Sequence, residues 1–159
     1  MEINLTSIGK RYGLEWIFRN VDFQFQSGNS YALTGHNGSG KSTLLKVLSG
    51  GLTPSEGKIS FKEGQKEYSQ LEIAKEVAYV APYIHLIDDF TLEEMVEFHF
   101  QFKKMYVTQE HLMEIMDLNS HKNKSIKNFS SGMMQRLKLS LAILSQTKIL
   151  LLDEPTSYL

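Results

Sequence analysis

The sequence predicts an α/β fold, and three observations carry that prediction. Near the N-terminus polar and apolar residues alternate, with Ile3 and Leu5 on one face, which is strand periodicity. A glycine-rich run, Gly35-His36-Asn37-Gly38-Ser39-Gly40-Lys41-Ser42-Thr43, stands between the strand-like Tyr31-Ala32-Leu33 and the helix-like Leu44-Leu45-Lys46-Val47-Leu48. An all-apolar run, Ile149-Leu150-Leu151-Leu152, is sized for a buried parallel strand and ends in Asp153-Glu154.

In chain order, Glu2 to Ile8 reads as a half-buried strand, and Val21, Phe23 and Phe25 repeat the pattern before the Ser27-Gly28-Asn29 turn. These two strands are expected to pair antiparallel. A strand over Ser30 to Thr34 then delivers the glycine-rich loop, and a helix starts near Lys41. Gly50 to Gly57 is a punctuated turn, followed by a short strand at Lys58-Ile59-Ser60-Phe61. Val77 to Ala81 is another apolar run, stopped by Pro82. Thr91 is a helix N-cap with Glu93 and Glu94 in the first turn. Leu92, Met95, Val96, His99, Phe102 and Tyr106 share one face of that helix. Leu112, Ile115, Met116 and Leu118 form a second short helix, and Asn119 to Asn128 reads as a polar, lysine-bearing loop. A third helix starts near Ser131 and carries Leu137, Leu141 and Leu144 inward.

Composition narrows the class. The chain has 159 residues, 42% of them hydrophobic and 22% charged, enough for a real core. A net charge of −1 provides no global attraction to nucleic acid or anionic lipid. There is no cysteine, so disulfides and thiolate metal sites are excluded. The start lacks the basic flank and apolar stretch of a secretion signal. No run approaches the roughly 20 apolar residues of a membrane span. A cytoplasmic chain is expected, reaching a membrane only through a partner.

The loop fits G-x-x-x-x-G-K-[ST] at every required position, in the strand–loop–helix setting such a phosphate-binding loop needs. Glycines let successive N–H groups approach phosphate oxygens, and the following helix aims its positive end at them. Lys41 is expected to reach the terminal phosphates, and the Ser42 hydroxyl to ligate Mg²⁺. The pair Asp153-Glu154 taken alone also fits a helix N-cap after a strand. Beside the loop, a chemical role leads: Asp153 is expected to hold Mg²⁺ through water, and Glu154 to polarise an attacking water. Phe129-Ser130-Ser131-Gly132-Met133-Met134-Gln135-Arg136 is a helix start that could equally hold an anion on its free N–H groups.

Together these residues resemble the ATP-binding cassette (ABC) ATPases. Gly35 to Thr43 matches that family's Walker A, Leu150 to Glu154 its Walker B, and Phe129 to Met133 its signature peptide. The resemblance implies a P-loop NTPase with N-terminal antiparallel strands, a RecA-like parallel core and a helical subdomain. It implies one domain over 1–159, with a nucleotide-binding core at 1–81, a helical subdomain at about 82–146 and a Walker B strand returning to the core at 147–159. ATP and Mg²⁺ are the implied cofactors. Tyr12 is implied to stack on adenine, and Ser130 and Gly132 to contact the γ-phosphate held by an opposite subunit. The implied partners are a second ABC ATPase subunit, identical or not, and an integral membrane permease, with no nucleic acid. That would place the chain on the inner face of the cell membrane. The implied activity is ATP hydrolysis powering transport through head-to-tail dimerisation. A soluble ABC-family ATPase and a nucleotide-binding module with little hydrolysis are the alternatives.

Several positions depart from the family pattern. Ser131 replaces the signature's first glycine, and Met133 its glutamine. Pro82 stands where the Q-loop glutamine belongs, and Tyr158 where an asparagine is usual. None of His36, His85, His99, His111 and His121 is placed to be the switch histidine, and they form no metal cluster. The chain stops at Leu159, where the family continues with two more core strands, so a truncated domain is expected. Backbone groups beside Leu33 and Leu151 would then lack partners, at about 1–3 kcal/mol each if buried. The surface near Tyr83, Ile84 and Leu86, beside Asp88 and Asp89, is a candidate contact for the membrane partner.

Overall fold

The computed structural model describes residues 1–155, which group into two units divided between Val77 and Ala78. In the first, strand β1 (Glu2–Tyr12) pairs antiparallel with β2 (Glu15–Phe25), setting Ile3 opposite Phe25 and Leu5 opposite Phe23. The expected pairing is present, in longer strands joined by a tight turn at Gly13 and Leu14. On its other edge β1 pairs antiparallel with β3 (Glu56–Glu63), which carries the two-residue β4 (Lys66–Glu67). The sheet order is β2-β1-β3-β4. Ile3, Leu5 and Phe61 are buried, as alternation predicts for one covered face, and Ile8 joins them after a shift in register between Leu5 and Ile8. Gly57 is fixed by sterics: its φ is +78°, and a Cβ there would lie 2.3 Å from the Ser7 carbonyl oxygen.

Helix α1 (Lys41–Leu48) buries Val47 and Leu48, and α2 (Gln70–Glu76) buries Ile73. Helix α2 and strand β4 go beyond the sequence reading. The helix opens on a capping box, in which Ser69 and Glu72 each bond the other's backbone N–H. Ser30 to Thr34, expected as a strand, is not one. No described strand offers it a ladder, and a strand exists only through a partner's N–H and C=O groups. Tyr31 is instead held on β2, packing its ring edge-on to Phe23 and Phe25 and accepting a 2.8 Å hydrogen bond from the Gln26 N–H.

In the second unit β5 (Val77–Val80) pairs with β6 (Ile149–Leu152), the parallel part of the fold. Helices α3 (Leu92–Phe102), α4 (Gln109–Ile115) and α5 (Ser131–Ile143) enclose a core of Leu92, Met95, Val96, Leu112, Met113, Met116, Leu118, Leu137 and Leu141. Caps set their starts: Thr91, Thr108 and Ser130 each accept a backbone N–H from three residues on.

Four expectations need correction here. Helix α3 ends at Phe102 because Lys103 turns extended, so Phe102 and Tyr106 are exposed rather than inward. In α4 Ile115 is exposed and Met113 takes the inward position. Asn119 to Asn128 is no free loop. It forms two single-turn 3-10 helices and buries Ile126. Backbone bonds tie it to the entry of α3: Leu92 to Lys124, Glu93 to Lys122 and Ile126 to Phe90, at 2.8–3.1 Å. Strand β6 buries Leu151 but leaves Leu150 44% and Leu152 36% exposed, since among the described residues only one of its faces is covered. Among the described residues no helix is long and apolar enough to cross a membrane.

Candidate functional site

The glycine-rich loop has the backbone that its sequence requires. Gly35, Gly38 and Gly40 all carry positive φ, and Gly40, at +91°, is the N-cap of α1. A Cβ on Gly40 would meet the Ile17 side chain at 2.8 Å, so the helix start sits directly against β2. No side chain caps α1. The N–H groups of Lys41, Ser42 and Thr43 therefore have no intrahelical acceptor and face the loop, at the positive end of the helix. The Lys41 Nζ folds back to donate to the carbonyls of Gly35 and His36, both at 2.9 Å. His36 Nδ1 is 2.8 Å from the Asn37 carbonyl oxygen, and the Ser39 N–H bonds the His36 carbonyl. The loop thus leads into an uncapped helix start, with one ammonium group resting on its carbonyls. Beside it lies a cavity of about 280 Å³, lined by Phe18, Val21, Leu33, Ser39, Lys41 and Leu44 among others.

Tyr12, also in the first unit, ends β1 and is 52% exposed, with the Lys10 ammonium 5.5 Å from its ring centroid. The same hairpin presents Trp16 with the guanidinium groups of Arg11 and Arg19 at 5.6 and 4.5 Å from its ring centroid. Arg19 is fixed by a fork to Glu56 at 2.7 and 3.1 Å.

In the second unit Asp153 follows β6 directly and is buried. Its N–H bonds the Val80 carbonyl at 2.8 Å, extending the β5–β6 ladder by one step. Its Oδ2 accepts the Tyr83 hydroxyl at 3.2 Å, and the Tyr83 hydroxyl is bonded in turn to that of Tyr79. Burial, then the Tyr83 hydroxyl, pushes the Tyr79 phenol above its usual range, so it stays protonated. Glu154, exposed, stands in the left-handed region at φ 47°, which costs a non-glycine residue about 1–2 kcal/mol. The turn is anchored on its far side, where buried Gln135 donates its Nε2 to the Pro155 carbonyl at 2.7 Å.

Ser130 caps α5 through a 3.2 Å bond from the Met133 N–H, and a Cβ on Gly132 would meet nothing within 4 Å. Met133 faces the helical core, so the residue in the signature's glutamine position is spent on packing. Tyr158 lies outside the described residues. The sequence reading did not foresee the contacts of Tyr79, Tyr83 and Gln135, which join positions far apart in the chain.

Ser42 in the first unit offers a hydroxyl and Asp153 in the second a carboxylate oxygen, each a donor of the kind a hard divalent cation takes. Among the described residues no group of three histidine, aspartate or glutamate side chains clusters for a metal. A nucleotide's own phosphates would have to complete such a cation's shell.

Residues 18–157 match the family described as ABC transporter. The chain is 31% identical over 157 residues to the uncharacterised ABC transporter ATP-binding protein YybJ of Bacillus subtilis, covering 98% of this chain and 72% of that protein. It is 34% identical over 166 residues to the energy-coupling factor transporter ATP-binding protein EcfA1 of Thermotoga maritima, covering 100% and 62%. Of the curated relatives it matches, the chain spans 72% of one, about half (51%) of another and 8% of a third. The dimeric structure of MJ0796, a bacterial ABC transporter cassette, superposes with a TM-score of 0.81 at 24% identity, covering 99% of this chain and 75% of that one. That likeness establishes the fold. With the family match running from before the glycine loop to beyond Asp153, the chain belongs to the ABC transporter family, as an ATP-binding cassette.

Proposed function

We propose that this chain binds ATP with Mg²⁺ and hydrolyses it as the ATPase subunit of an ABC membrane transporter, working as a head-to-tail dimer. The observation that supports this most is the uncapped start of α1 behind a glycine loop, with Lys41 resting on two loop carbonyls. Those carbonyls are neutral acceptors. A phosphate offers charged ones, which roughly double the strength of each hydrogen bond. Lys41 therefore exchanges the Gly35 and His36 carbonyls for the terminal phosphates, while the free N–H groups of Lys41, Ser42 and Thr43 meet the others.

Ser42 and Asp153 hold Mg²⁺, which when bound neutralises phosphate charge. Exposed Glu154 orients the attacking water, and half-exposed Tyr12 offers a π-face to adenine. Ser130 and Gly132, at the open start of α5, contact the γ-phosphate bound by the partner subunit. The dimeric state of the MJ0796 cassette accords with that arrangement. A permease docked near Tyr83, Ile84 and Leu86 would hold the cassette on the cytoplasmic face of a membrane.

Equilibrium binding of ATP to the full-length protein tests the core of this reading. Lys41→Ala should abolish binding, and retained binding would overturn the loop's role. Glu154→Gln should leave binding intact, trap an ATP-bound dimer visible by gel filtration, and slow turnover by at least about 100-fold. Undiminished turnover would remove Glu154 from the chemistry. ATP binding without phosphate release from the unmutated protein would instead identify a nucleotide-binding module.

A further inference from the structure

Asp153 is a buried carboxylate with its backbone pinned to Val80 and one oxygen, Oδ2, engaged by the Tyr83 hydroxyl. Each phenol has a single O–H to give. Tyr83 gives its own to the carboxylate, which when ionised accepts only, and the Tyr79 hydroxyl, bonded to that of Tyr83, also interacts with Asp153. The two phenols and the carboxylate therefore form one small network, and hydrogen bonds within such a network polarise and reinforce one another. The two rings meet edge to face, with centroids 6.4 Å apart and planes at 68°. That contact restricts how far the Tyr83 hydroxyl can swing.

We propose that Tyr83 is a positioning residue for Asp153, holding one carboxylate oxygen so that the other is presented to a divalent cation. The proposal rests on the reading of Asp153 as a cation ligand. A carboxylate with one oxygen on a cation is free to rotate unless its second oxygen is tied, and outer partners of this type set both orientation and affinity. Tyr79 lies on β5, while Tyr83, 40% exposed, lies in the turn that leaves it. The tie therefore begins on a strand and passes through a surface turn. Anything that shifts this turn changes the cation affinity of the site. Position 82 is proline, whose side chain offers no ligand atom, and Tyr83 is the adjacent side chain that reaches the carboxylate.

The test is calorimetric binding of a non-hydrolysable ATP analogue to the full-length protein over a MgCl₂ series, with Tyr83→Phe keeping the ring and removing the hydroxyl. The expected result is a rise of about tenfold in the Mg²⁺ concentration for half-maximal enhancement, at the low end for loss of an outer-shell partner. Binding of the analogue in EDTA and the melting temperature should stay as in the unmutated protein. An unchanged Mg²⁺ midpoint overturns the proposal. So does a parallel loss of EDTA binding and melting temperature, which would make Tyr83 a packing residue. Asp153→Asn separates the two levels of the argument. If it leaves the Mg²⁺ midpoint unmoved, the cation-ligand reading fails. If it raises the midpoint and Tyr83→Phe does not, only the role of Tyr83 fails.

Discussion

Gln135 shows how one side chain can hold a strained turn. It is buried on α5, and its amide reaches the Pro155 carbonyl at 2.7 Å. Asp153 is tied to Val80 on the near side of the turn, so Glu154 sits between two anchors at a positive φ. Proline has no N–H, which leaves its carbonyl as that residue's sole backbone hydrogen-bonding group. Gln135→Met keeps the volume and removes the donor. Leaving a carbonyl unpaired costs about 1–3 kcal/mol where it is buried, an upper bound for half-buried Pro155. The expected outcome is a lower urea midpoint at unchanged slope, read by denaturant titration. A midpoint equal to that of the unmutated protein would mean that the carbonyl finds water and that the turn holds without the amide.

Among elements, legibility followed whether the signal was local. Thr91 with Glu94, and Ser130 with the apolar run behind it, identify helix starts from adjacent residues, and the structure caps both as expected. Ser69-Gln70-Leu71-Glu72 carries the same capping-box spacing, yet α2 escaped the reading. Its amphipathic signal is weak, with Ile73 buried and Leu71 84% exposed. Phe102 and Tyr106 fit the helical period, but periodicity cannot report that Lys103 turns extended and ends the helix. The turns of 119–128 depend on bonds to Asp88, Phe90, Leu92 and Glu93, a pairing no local pattern encodes. The candidate site divides along the same line. Its phosphate loop is nine contiguous residues, legible by spacing alone. The ties of Tyr83 and Gln135 to the Asp153 turn span 70 and 20 residues and emerge only from the fold.

At the scale of the whole molecule, acid stability is set by groups outside the nucleotide site. Burial, and then the nearby Lys103 ammonium, holds the His99 imidazole below its ordinary pKa, with the Leu141 backbone opposing the shift. Its Nε2 is buried without a partner among the described residues, so the folded state favours the neutral ring. Unfolded, His99 titrates near 6.5. Between that value and the lower folded one the unfolded chain binds more protons, so stability rises with pH there and falls on acidification. Glu72 is held at about 2 by the Ser69 backbone N–H, then by Lys66 and the Ser69 hydroxyl, and Glu94 is lowered by the matching contacts at Thr91. Their contribution is present above the unfolded value of 4.5 and is lost as pH falls toward the folded ones. Two separate acid limbs follow, one starting near pH 6.5 and one near 4.5. Melting temperature measured from about pH 8 down to about pH 3 should show both, and His99→Leu should flatten the first while leaving the second. A first limb of equal depth in His99→Leu would remove His99 as its source.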